Sequence, residues 1–223
     1  MAKSKIAKQS KAIKHIRNNQ NVVPLNLEIP YKYGKSTIDL TTRAQIEFRH
    51  LNLHELPIVL KELESVGITT FQTAGDNFRG VITSPFDGYS KTSLITCEDL
   101  IQDIHDVFLK NEEYIGTLPR KFNTGILGDT VNDCNIFGQD CAFVLASKDD
   151  ELGFNLYLGG KVGVQARPLN LFVKPSQVKE VFSAVISLYK TYGFKVISSF
   201  VAFECFFIFF NDLVTVCNID CFI

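Results

Sequence analysis

The chain has 223 residues, 46% of them hydrophobic, which excludes a disordered polymer and allows one domain or two small ones around a buried core. Lysine and arginine number 23 and aspartate and glutamate 24, a balance that excludes a chain-wide field drawing the protein to nucleic acid or to an anionic membrane.

Residues 1–21 read as a solvated basic arm, because Lys3, Lys5, Lys8, Lys11, Lys14 and Arg17 all precede the first acidic residue, Glu28. The arm has no apolar stretch followed by a small-residue cleavage site, so the expectation is a cytoplasmic protein. In that compartment the six cysteines (Cys97, Cys134, Cys141, Cys205, Cys217 and Cys221) are reduced thiols or ligands rather than a disulfide framework.

Residues 22–116 are expected to form a first unit. Strands are predicted over 22–30 and within 37–51, where Ile38, Leu40, Ile46 and Phe48 fall in short alternating runs. Asn52 with Glu55 three residues on predicts a capping box. The helix that follows presents Leu56, Val59, Leu60 and Leu63 on one face and ends at Gly67. Another strand is predicted over 68–73. Residues 74–90, dense in glycine, proline, aspartate and asparagine, read as loops around a short strand at 81–83. Thr96 with Asp99 predicts a second cap, before a helix whose face is Leu100, Ile101, Ile104, Val107 and Phe108. This alternation of strand and helix predicts an α+β sandwich half-domain of the ferredoxin-like kind.

Residues 117–195 form the second predicted unit, again α+β, with the boundary near 116. Strands are expected over 122–127, 141–147 and 154–158, and a helix over 176–192 with Val178, Val181, Phe182, Val185 and Leu188 on its face. Residues 196–223 are apolar but aperiodic, and are expected to pack poorly. Glu204, Asn211 and Asp212 interrupt them, so no run reaches the ~20 residues that span a bilayer.

Four short motifs carry chemistry together: Leu40-Thr41-Thr42-Arg43, Gly75-Asp76-Asn77-Phe78-Arg79, Leu118-Pro119-Arg120-Lys121-Phe122-Asn123, and Gly153-Phe154-Asn155 running to Gly159-Gly160. In this order and spacing, over about residues 37–194, they resemble the siroheme-dependent nitrite and sulfite reductase family. That resemblance implies a siroheme whose carboxylates are held by cationic forks, since guanidinium pairs with carboxylate through two parallel hydrogen bonds. It implies that Thr41 and Arg43 contact the siroheme. Arg79 and Lys121 would serve both cofactor and anionic substrate, and Asn123 would complete the catalytic set. Sulfite reductases of the family usually carry lysine where Asn123 stands, and nitrite reductases asparagine. Asp76 and Asn77 are expected to shape their loop, and Gly159 and Gly160 to serve a turn or a close backbone approach. His15, His50, His54 and His105 lack metal-ligand spacing.

The sequence departs from the family in two places. Asn26 stands where the family has an arginine facing substrate, and Glu47 stands where the family often has glutamine, two residues before Arg49 at a position often filled by histidine or arginine. In intact relatives four cysteines, in Cys-x5-Cys and Cys-x3-Cys, hold a 4Fe-4S cluster. Here Cys217 and Cys221 have the second spacing and no pair has the first, and the family pattern is lost after Lys195. The expectation is therefore a truncated reductase, inactive alone, without metal ligands of its own. Its relatives take electrons from ferredoxin or a flavoprotein and reduce nitrite or sulfite by six electrons. The alternatives are a non-catalytic tetrapyrrole- or partner-binding module, a decayed fragment, and a chain that completes an assembly with a separate cluster-bearing polypeptide.

Overall fold

A computed structural model describes residues 29, 32–43, 45–65, 68 and 70–193. The basic arm, Asn26 and the tail at 196–223 lie outside them. So does the strand expected at 22–30, except for Ile29, which is helical and buried. The chain divides into two compact units after Thr70.

In the first unit, β1 (Ile38–Leu40) and β2 (Ile46–Phe48) pair antiparallel, Leu40 opposite Ile46. Asn52 starts the helical segment as the sequence predicts: Glu55 Oε2 accepts from the Asn52 backbone N–H at 3.1 Å and from its Nδ2 at 2.9 Å. A 3-10 turn, Leu53–Glu55, leads into α1 (Leu56–Ser65). Of the expected apolar face, Val59 and Leu63 are buried with Ile29 against Tyr33, Phe48, Leu51 and Ile68, while Leu60 is exposed.

No strand forms at 70–73, contrary to expectation. Gln72 instead sits at φ 60° and is buried, its Nε2 donating to the Phe108 carbonyl and its Oε1 accepting from the Lys110 N–H. Side-chain bonds to a distant loop here replace a strand ladder.

The second unit is built on a four-stranded sheet in the order β3 (Thr124–Leu127), β4 (Cys141–Lys148), β5 (Glu151–Leu158), β6 (Arg167–Val173). β3 and β4 are parallel and the other pairs antiparallel. The segment 78–82 runs parallel along the outer side of β3 through two bridges, Phe78 with Phe122 and Ile82 with Gly125. Two helices, α2 (Glu98–Phe108) and α3 (Val178–Tyr192), pack on each other, tied by Lys179 Nζ lying 3.7 Å from Asp103 and 3.6 Å from Asp106.

Alternation along the strands sorts the sheet's two faces. Phe122, Ile126, Cys141, Phe143, Phe154 and Leu156 enter one core with α2 and α3. At its centre Phe78 stacks on Phe108 at 4.1 Å, with Phe182 6.0 Å from Phe78. Each such ring removed from water contributes about 1.5–3 kcal/mol. Leu127 and Ala142 belong to a smaller cluster, with Ile136, Val144 and Tyr157. Strands 122–127, 141–147 and 154–158 thus form where expected, as does the long helix, which follows a 3-10 turn at Pro175–Gln177.

Three features differ from the sequence expectation. The units divide at residue 70 rather than near 116, because α2 shares the aromatic core of β3, β4, β5 and α3. β6 was not predicted: Pro168 and Asn170 break its alternation, and the register slips between Asn155 and Tyr157 to absorb them, with Asn170 at φ 56°. The cap of α2 comes not from Thr96 but from Asp87, whose Oδ2 accepts the Cys97 N–H at 2.8 Å. No helix among the described residues is long and apolar enough to cross a membrane.

Candidate functional site

Arg79, Lys121 and Asn123 are brought together by the parallel pairing at the sheet edge. The Arg79 N–H donates to the Phe122 carbonyl at 2.8 Å, and the Phe122 N–H donates to Asn77 at 3.1 Å. Because Phe78 and Phe122 both turn into the helical core, the pleat turns their chain neighbours to the other side. By that register the backbone of Arg79 stands opposite Asn123, and that of Lys121 opposite Asn77, on one strand pair.

The loop before Arg79 holds its guanidinium. Nη2 donates to the Gly75 carbonyl at 3.0 Å and Nη1 to Asn77 at 3.4 Å. Burial lowers its pKa and the neighbouring Arg120 adds to the effect, with Asp76 opposing. A guanidinium stays charged throughout, and its five N–H donors exceed the two carbonyl bonds. Asn77 shapes the loop as expected: Nδ2 donates to Ala74 at 2.6 Å and Oδ1 accepts from the Gly116 N–H at 2.6 Å. Asp76 instead reaches Arg120 Nη1 at 3.2 Å.

Lys121 is exposed. Asn123 is half-buried and anchored on Asp140, whose Oδ2 accepts from the Asn123 backbone N–H at 2.7 Å and from its Nδ2 at 2.6 Å. Asp140 is itself buried and directly precedes β4. Sequence reasoning did not single it out: one aspartate among 24 acidic residues has no signal until the parallel register sets it beside Asn123.

The Gly159-Gly160 turn closes on the same loop. The Gly159 N–H donates to the Asp140 carbonyl at 2.9 Å, and a Cβ on Gly160 would stand 2.3 Å from the Phe137 carbonyl oxygen and 2.4 Å from that of Gln139. Both expectations for this pair hold, since Gly159 has φ 81° and Gly160 lies against backbone.

Thr41 and Arg43 belong to the first unit. Thr41 Oγ1 accepts from the N–H groups of Arg43 at 3.3 Å and Gln45 at 3.1 Å, and so closes the β1–β2 turn. Arg43 is half-buried. Arg49 is engaged with Asp39 and, at 3.0 Å, with Glu47, forming exposed ion pairs on the hairpin.

A model of the nitrite and sulphite reductase 4Fe-4S domain matches residues 74–196. The chain belongs to this family. It is 33% identical over 174 residues to a ferredoxin–nitrite reductase of Leptolyngbya laminosa, covering 74% of this chain and 34% of the relative. It is 29% identical over 172 residues to a ferredoxin-type sulfite reductase of Mycolicibacterium paratuberculosis, covering 75% of this chain and 30% of the relative. The chain thus spans about a third of the length of the curated relatives it matches. The solved structure of the Mycobacterium tuberculosis NirA protein superposes with a TM-score of 0.78 at 23% identity, covering 87% of this chain and 37% of that one, which places the fold in the same α+β class.

The described residues do not fit an iron-sulfur cluster. No group of three or more histidine, cysteine, aspartate or glutamate side chains among them could hold a metal ion. Cys97 and Cys141 are buried in the aromatic core, and burial pushes the Cys97 thiol up to about 12 and the Cys141 thiol higher still, so both stay protonated. The cationic set fits the carboxylates of a tetrapyrrole in kind: a guanidinium held by two carbonyls at Arg79 and an exposed ammonium at Lys121.

Proposed function

We propose that this chain carries the siroheme- and anion-facing part of a nitrite or sulfite reductase, with nitrite the favoured substrate. The observation that supports this reading is the juxtaposition of Arg79, Lys121 and Asn123 on one strand pair, in a family of nitrite and sulfite reductases. Siroheme, when bound, supplies the iron that takes the anion and delivers electrons to it. Arg79 and Lys121 would hold its carboxylates and attract the anion. Asn123 supplies no charge where a lysine would supply one, and one fewer cation disfavours the dianion sulfite more than the monoanion nitrite.

Six-electron turnover requires a cluster that this sequence does not provide, because no two of its cysteines have the Cys-x5-Cys spacing. Turnover therefore needs cluster ligands from outside residues 1–223 and a donor such as the ferredoxin named for the relatives.

The test is expression with siroheme supply, an absorption spectrum of the purified chain, and assay with dithionite-reduced viologen. The expected result is weak, salt-sensitive siroheme uptake without nitrite or sulfite consumption. Failure to take up siroheme would overturn the proposed site. Steady turnover without a second protein would overturn the incomplete-enzyme reading.

A further inference from the structure

Asn123 presents two chemically opposite ends, an amide nitrogen that donates and a carbonyl oxygen that accepts, and rotation about the last side-chain bond exchanges them. Asp140 removes that freedom. Its Oδ2 lies 2.6 Å from Asn123 Nδ2 and 2.7 Å from the Asn123 backbone nitrogen, so one carboxylate oxygen grips side chain and backbone together. A carboxylate can only accept, so the end facing it must be the nitrogen, and Oδ1 is turned to the far side of the amide. The grip is firm because Asp140 is only 7% exposed and the β3–β4 register fixes its backbone, with the Asp140 carbonyl also accepting from Gly159. Asn123 is half-buried, so part of the residue stays in contact with solvent.

We infer that Asp140 is a specificity-determining positioning residue, which locks Asn123 with its carbonyl oxygen outward and so makes this position repel anionic charge. The inference rests on the reading that Asn123 faces the substrate anion. Two sources of negative potential then oppose that anion, the outward oxygen and the carboxylate behind it. A dianion feels both twice as strongly as a monoanion. Asp140 thus contributes to the preference for nitrite without touching the ligand. The same carboxylate makes position 123 hospitable to a lysine, whose ammonium it would accept as it now accepts the amide.

The lock is tested on the full chain, 15N-labelled and without cofactor. The expected spectrum has one Asn123 side-chain amide proton shifted downfield and exchanging slowly, as a donor to a carboxylate should. Asp140→Ala should return both amide protons to the positions of a free side chain, and unchanged signals would overturn the lock. If Asp140→Ala fails to fold, Asp140→Asn keeps the volume and replaces the carboxylate with a neutral amide, whose oxygen is the weaker acceptor. The same proton should then move upfield, and no movement would again overturn the lock.

The specificity role is read on siroheme-loaded chain as the ratio of sulfite to nitrite affinity. That ratio should rise about fivefold in Asp140→Asn. An unchanged ratio with an altered amide signal would overturn the specificity role. Failure of the unaltered chain to load siroheme would count against the proposed function alone, because the amide spectra decide the lock without any cofactor.

Discussion

Asp87 Oδ2 accepts the backbone N–H of Cys97 at 2.8 Å, and so a side chain ten residues upstream caps α2. The first N–H groups of a helix have no partner within it, and an acidic acceptor there also complements the helix dipole. Asp87→Ala should cost about 1 kcal/mol of stability, in the range of a lost N-cap. Thr96→Ala should cost far less, because Thr96 donates no cap. Urea denaturation of the two variants checks the order, and an equal loss would return the cap to Thr96.

Gly160 has backbone where a side chain would go. In Gly160→Ala the new methyl group would meet the carbonyl oxygens of Phe137 and Gln139 and the Gln139 nitrogen, the last at 2.9 Å. None of these can rotate away as a side-chain end would. The expected loss is about 1–3 kcal/mol, typical of overpacking, measured as a fall in melting temperature. Gly75, at φ 69° with nothing within 4 Å of an added Cβ, gives the opposite case of backbone strain without crowding.

His105 lies on α2 with its ring edge-on to Phe108 at 5.7 Å. Burial lowers its pKa from the ordinary 6.5, with the Asp106 charge opposing. A depressed folded-state value means that the unfolded chain binds the proton more readily. Stability is then fully present above pH 6.5 and is lost as pH falls through the lower folded value. Melting temperature should therefore drop between pH 7 and 5, and His105→Gln should flatten that drop. The carboxylates of Asp106 and Glu62, both held below their usual values, would act only in more acidic solution.

Arg79→Lys should weaken siroheme retention nearly as much as Arg79→Ala, about tenfold, since an ammonium cannot grip the carbonyls of Gly75 and Asn77 while offering a planar fork. Lys121→Arg should retain most of the binding, because an exposed point charge is easily replaced by another. Retention on a desalting column across a salt series compares them. A full rescue by Arg79→Lys would show that charge alone matters at that position.

What the sequence made legible follows physical range. β4, β5 and α3 carry their periods in consecutive residues such as Phe154, Leu156 and Leu158, and were readable without a structure. So was the capping box of Asn52 and Glu55, which spans three residues. β6 was not, because Pro168 and a left-handed Asn170 erase the alternation that the bulge then accommodates. The motifs around Arg79, Lys121 and Asn123 stand in order in the sequence, and the folded register sets those motifs on one strand pair. Asp140, 17 residues beyond Asn123, and Asp87 act through partners that only the folded register supplies.

The irregularity of β6 also governs what its outer edge will accept. Among the described residues β6 pairs with β5 and ends the order of the four-stranded sheet. A strand arriving there from another copy would find no amide hydrogen at Pro168 and a backbone turned out of line at Asn170. Neither defect can be matched by an ordinary extended segment. The residues that hid this strand from view thus leave the sheet a poor template for fibrous stacking, and protein chemists concentrating the chain should look elsewhere for the seed of any aggregate.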